Sequence, residues 1–73
     1  MTWNYRIIKK KSKIADEDYY YMAEVFYDSN KKPMAQTEAI DITGSSKQDI
    51  IDILKTMLKD AETRDILEEL GNE

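Results

Sequence analysis

Between Tyr19 and Tyr27 the chain reads Tyr-Tyr-Tyr-Met-Ala-Glu-Val-Phe-Tyr, and this stretch constrains the fold more than any other. Four of the five tyrosines and the one phenylalanine fall within it. Tyr19, Tyr21, Ala23, Val25 and Tyr27 alternate without a charge, whereas Tyr20, Met22, Glu24, Phe26 and Asp28 mix rings with carboxylates. A period of two with one apolar register is the pattern of a strand in the middle of a sheet, one side on the core and the other partly wet. The second register is more aromatic than a wet face requires, and exposed rings mark surfaces built for contact.

Elements on either side extend the pattern. Trp3 to Lys10 reads as a first strand, with Trp3, Tyr5 and Ile7 on one face and Asn4, Arg6 and Ile8 on the other. A charged connection from Lys11 to Asp18 leads into the aromatic strand. Asp28-Ser29-Asn30-Lys31-Lys32-Pro33 is turn chemistry, and Pro33 suits an edge. Met34 to Thr43 is expected as the third strand. Short connections favour an antiparallel meander in the order 1-2-3. Gly44-Ser45-Ser46 then opens a helix, with Ser45 and Gln48 fitting a capping box and Ser46 as the competing N-cap. Ile50, Ile53, Leu54, Met57, Leu58 and Ala61 recur at helical spacing, and after Ala61 the phase fails.

The expected fold is therefore α+β: a three-stranded meander over residues 1–43, one helix over 44–61 on one sheet face, and a helical or folded-back tail over 62–73, all in a single domain. Ile53, Leu54, Met57 and Leu58 are expected to cover the face carrying Tyr21, Ala23 and Val25, since both stripes lack charge.

At this point a resemblance can be stated. Trp3-Asn4-Tyr5-Arg6, then Glu24-Val25-Phe26-Tyr27-Asp28 with Lys32-Pro33, Thr37-Glu38 and Met57-Leu58 resemble the landmarks of a family of small bacterial proteins that open Trp-Asn-Tyr-Arg. Where that family's turn carries Gly this chain has Lys31, and where its tail carries Pro this chain has Asp65. The family has no assigned activity, so the resemblance implies fold and no chemistry.

Composition excludes several classes of function. No cysteine and no histidine means no thiolate nucleophile and none of the commonest transition-metal ligands or general bases. No apolar run approaches the ~20 residues of a membrane span, and the first residues lack the apolar core of a signal peptide, so a cytoplasmic location is expected. Charge is uneven around a net −4: residues 1–13 are basic without an acid, and residues 14–30 acidic without a base.

Each candidate site has a plain structural counterpart. Asp16-Glu17-Asp18 and Asp28-Ser29-Asn30 offer carboxylates for a hard cation, but their spacing fits no metal loop and they read as a solvated cluster and a turn. Glu24, a lone charge among rings, lacks a partner for acid–base work and reads as a rim charge paired with Arg6. The rings of a domain with so thin a core are expected to be core and cross-strand pairs rather than a small-molecule pocket. No enzyme, cofactor or metal is expected. The leading expectation is a protein-binding module, docking a partner or a second copy through the outer sheet face with Arg6, Ile8, Tyr20, Met22, Glu24 and Phe26. The alternative is nucleic-acid binding through Lys9, Lys10, Lys11 and Lys13 beside strand aromatics, against a solvated edge whose lysines block aggregation.

Overall fold

A computed structural model of the chain describes residues 2–11 and 17–70. The elements are β1 (Thr2–Lys11), β2 (Asp18–Tyr27), β3 (Pro33–Gln36), α1 (Lys47–Thr63) and β4 (Leu67–Glu68). The sheet order is β3-β2-β1-β4. The first three strands are antiparallel neighbours as expected, but β4 runs parallel to β1, so the sheet is four-stranded and mixed rather than a three-stranded meander. The tail supplies that fourth strand: Leu67 lies beside Ile8, and the Glu69 N–H donates to the Lys9 carbonyl at 2.9 Å. Of the two conformations expected for the tail, the folded-back one is present.

The β2–β3 hairpin is built by Asp28. Its carboxylate accepts the N–H groups of Asn30 and Lys32 at 2.8 and 3.0 Å, and its own N–H donates to the Lys32 carbonyl at 2.9 Å. Lys31 sits at φ 64°, the left-handed position a three-residue hairpin loop demands and usually gives to Gly. β3 ends at Gln36, not at Thr43, because Thr37 changes its mode of pairing. The Thr37 hydroxyl, rather than its carbonyl, accepts the Glu24 N–H at 3.0 Å. The chain then bends at Glu38 and Ala39, and the Ile40 N–H returns to the Met22 carbonyl at 3.1 Å.

Ser46, not Ser45, is the N-cap of α1, its hydroxyl accepting the Asp49 N–H at 3.1 Å. Asp49 reaches back to the Ser45 N–H and hydroxyl at 3.0 and 2.6 Å. These bonds stabilise the charged carboxylate and hold its pKa below the ordinary value. The helix stops at Thr63, where the Arg64 backbone becomes extended.

Register decides where the core lies. Arg6 pairs with Ala23 and Ile8 with Tyr21, so Asn4, Arg6 and Ile8 share a face with Tyr21, Ala23, Val25 and Tyr27. On that inner face Ile8, Ala23 and Val25 are completely buried, packed by Tyr21, Tyr27 and Leu67. The expected helix cover is absent there. The sheet instead curls until its two edges meet: the Gln36 side chain on β3 accepts the Leu70 N–H just beyond β4 at 2.9 Å. Helix α1 approaches β1 and no other strand. Asp60 accepts the Tyr5 N–H at 3.1 Å, and among the described residues Tyr5 and Met57 are the buried hydrophobics outside the inner-face cluster. Leu54 and Leu58, expected in the core, are 47% and 59% exposed.

Candidate interaction surface

The face opposite the core is built row by row from the β1–β2 register: Trp3 with Phe26, Tyr5 with Glu24, Ile7 with Met22, and Lys9 with Tyr20. Among the described residues α1 is the one helix, and its close backbone contacts are with β1 rather than β2. Trp3 and Tyr20 are 49% and 54% exposed, and Met22, Glu24 and Phe26 are half-buried. Trp3 stands edge-on to Tyr5 with ring centroids 5.2 Å apart.

The six residues expected on one surface are thus divided. Tyr20, Met22, Glu24 and Phe26 share the outer face; Arg6 and Ile8 do not, because the register sets them opposite Ala23 and Tyr21. Ile8 is fully buried. Arg6 does not pair with Glu24. Its Nε and Nη2 donate to the Asp65 carbonyl at 3.1 and 2.7 Å, and its Nη1 donates to the Tyr27 hydroxyl at 3.3 Å. Tyr27 in turn donates to Asn4 Oδ1 at 2.8 Å. Arg6 is therefore a clamp on the chain between α1 and β4.

The lysines are also divided. Lys9 lies 3.4 Å from the Asp18 carboxylate and Lys10 3.6 Å from that of Glu69, and these acids raise both ammonium pKa values. Lys11 is exposed at the end of β1, and Lys13 lies outside the described residues. Of the acidic cluster, Asp18 opens β2 on Lys9, Glu17 is exposed, and Asp16 lies outside the described residues. Among the described residues no three Asp, Glu, His or Cys side chains gather where a metal ion would bind.

A second polar cluster closes the inner face. Gln36 Nε2 donates to the Tyr21 hydroxyl at 2.9 Å, and Tyr21 donates to Glu69 at 2.7 Å. Burial and the Glu69 carboxylate push the Tyr21 pKa up. Beside it, Lys10, Tyr19, Tyr21, Glu38, Ala39 and Glu69 line a depression of about 370 Å³. A second depression of about 440 Å³ lies by the hairpin, between Tyr27, Asp28 and Met34. The first already has an ammonium group at its wall, that of Lys10. Sequence reasoning missed this cluster because its members are 15 to 48 residues apart and follow no period.

Compared with protein-family models, with curated proteins and with solved structures, the chain matches none. Among the described residues no helix is long and apolar enough to cross a membrane, which says nothing of strands.

Proposed function

We propose that this chain is a small cytoplasmic protein-binding module whose contact surface is the outer face of β2, with Tyr20, Met22, Glu24 and Phe26 flanked by Trp3. The observation that carries this reading is the half-covered sheet. Helix α1 makes its close backbone contacts with β1, and on the adjacent β2 rows Tyr20 is exposed while Met22, Glu24 and Phe26 are half-buried. Aromatics and Met are enriched at interface centres because they bury large area with few torsions to freeze. Arg6 and Ile8 leave the proposed surface, since both serve the inner face.

Nucleic-acid binding gains less support. Two of its four lysines already spend their charge on Asp18 and Glu69. The test uses the immobilised chain and its Tyr20→Ser/Phe26→Ser variant in extract of the native host. A protein retained by the wild type and lost from the folded variant supports the reading. Equal retention by both removes it. Recovery of nucleic acid instead, lost at high salt and in a variant with Lys9, Lys10, Lys11 and Lys13 changed to Gln, transfers the function to the basic segment.

A further inference from the structure

The tail lies on the sheet as a bound peptide would, in a short parallel ladder along β1. We infer that this edge of β1 and the inner face beside it form a groove for an extended peptide with Leu and, two residues on, Glu, and that β4 fills the groove from within the chain. The groove belongs to the inner face and shares no residue with the proposed outer surface.

Much of the hold on the tail is on its main chain. Arg6 donates to the Asp65 carbonyl at 3.1 and 2.7 Å. The Lys9 carbonyl accepts the Glu69 N–H at 2.9 Å, and Gln36 Oε1 accepts the Leu70 N–H at 2.9 Å. Any extended segment in the same register offers these groups. Two tail side chains are read as well. Leu67 packs on Ile8, Ala23 and Val25. The Glu69 carboxylate accepts the Tyr21 hydroxyl at 2.7 Å and lies 3.6 Å from the Lys10 ammonium. Residues two apart in a strand point to one side, so Leu67 and Glu69 are read while Ile66 and Glu68 stay exposed. Main-chain bonds for affinity and alternate side chains for specificity are how a sheet edge recognises a peptide.

The receiving groups are set without the tail. Arg6, Lys10, Tyr21 and Gln36 all belong to β1, β2 and β3. Arg6 also donates to the Tyr27 hydroxyl at 3.3 Å, and Gln36 Nε2 to the Tyr21 hydroxyl at 2.9 Å and the Thr37 carbonyl at 3.1 Å. These bonds remain when the tail leaves, so the groove is pre-organised for its next occupant. The tail itself is lightly fastened. β1 and β2 are ten residues long and pair throughout, whereas β4 pairs over two. An element held by so short a ladder opens at a fraction of the global free energy.

The experiment has two arms. In native-state hydrogen exchange on the wild type, the Glu69 and Leu70 amides should open at least about tenfold more often than those of β2. Exchange of the tail only together with β2 overturns the inference. In the second arm, a labelled peptide of residues 64–70 is titrated into the full chain and its Leu67→Ser/Glu69→Gln variant, read by fluorescence anisotropy. The variant should bind at least about tenfold more tightly than the wild type, whose own tail competes at a roughly millimolar effective concentration. The change Glu69→Gln within the peptide should weaken binding about tenfold, as loss of a charged hydrogen-bond acceptor does. Equal binding by wild type and variant, or none by the folded variant, overturns the groove. If the double variant does not fold, Glu69→Gln alone takes its place and is decided by the same two outcomes.

Discussion

Two single residues carry local costs that the hairpin and the helix start impose. Lys31 holds a left-handed backbone at φ 64°. A side chain there costs about 1 kcal/mol relative to Gly. Lys31→Gly is therefore expected to stabilise the chain by roughly 0.5–1 kcal/mol, seen as a rise of a few degrees in the melting midpoint; a fall would mean that the turn is held by the lysine side chain. Gly44 is constrained to lack a Cβ for a different reason. An added Cβ would stand 2.8 Å from Asp49 Cβ and 3.3 Å from Ile50 Cδ1. Asp49 cannot yield without leaving Ser45 and Ser46, so Gly44→Ala should cost about 1 kcal/mol, as loss of a cap does. The same change should return the Asp49 pKa toward its ordinary value. In the native chain this lowered pKa contributes stability above the unfolded value, lost as pH falls through the folded one; NMR titration of the Asp49 carboxyl reads both.

At the scale of elements, the helix and the tail exchange the roles that periodicity assigns them. Leu54 and Leu58 belong to the apolar stripe but are exposed, whereas Met57 is buried beside β1. Met57→Ala should cost about 2–4 kcal/mol. Leu54→Ala should cost under about 1 kcal/mol. Denaturant melts at low concentration separate the two, and equal losses would restore the expected helix packing. The tail is held by side chains more than by its two-residue strand. Tyr21→Phe removes the hydroxyl that joins Gln36 to Glu69. It should cost roughly 1–2 kcal/mol and speed hydrogen exchange at the Glu69 and Leu70 amides before any other site. Unchanged exchange there would show that Arg6 on Asp65 holds the tail alone.

For the whole molecule, two tyrosines contribute to the loss of stability at alkaline pH, beside Lys9 and Lys10, whose acidic partners raise their pKa values. Burial raises the pKa of both Tyr5 and Tyr21, helped by Glu24 and Asp60 at the first and by Glu69 at the second. A raised folded-state value means that the neutral phenols contribute stability fully below the unfolded pKa of about 10, and that it is lost as pH rises through the folded values. Unfolding above pH ~10 should therefore coincide with tyrosinate formation, and Tyr21→Phe should flatten the pH dependence. An alkaline midpoint that ignores both phenols would sink this account. The shape of the molecule follows from the same inner face. The Gln36 side chain and the Leu70 N–H draw the two sheet edges together, which buries Ile8, Ala23 and Val25 without a helix and leaves α1 to half of the other side.

Local chemistry made the aromatic strand, the Asp28 turn, the first strand and the helix legible, because each depends on neighbours a few residues apart. Period-two alternation divided β1 and β2 into the faces they have, since successive side chains of a strand must point to opposite sides. Alternation within one strand does not say which face of the next strand joins it, and a shift of one residue exchanges the two. Tertiary pairing decided that Arg6 and Ile8 stand with Ala23 and Tyr21 rather than with Met22, which moved both off the candidate surface. It also decided that Leu67, rather than the helix, completes the core. The parallel β4 strand joins residues nearly sixty positions apart, and no short-range pattern encodes a contact formed only once the sheet has curled.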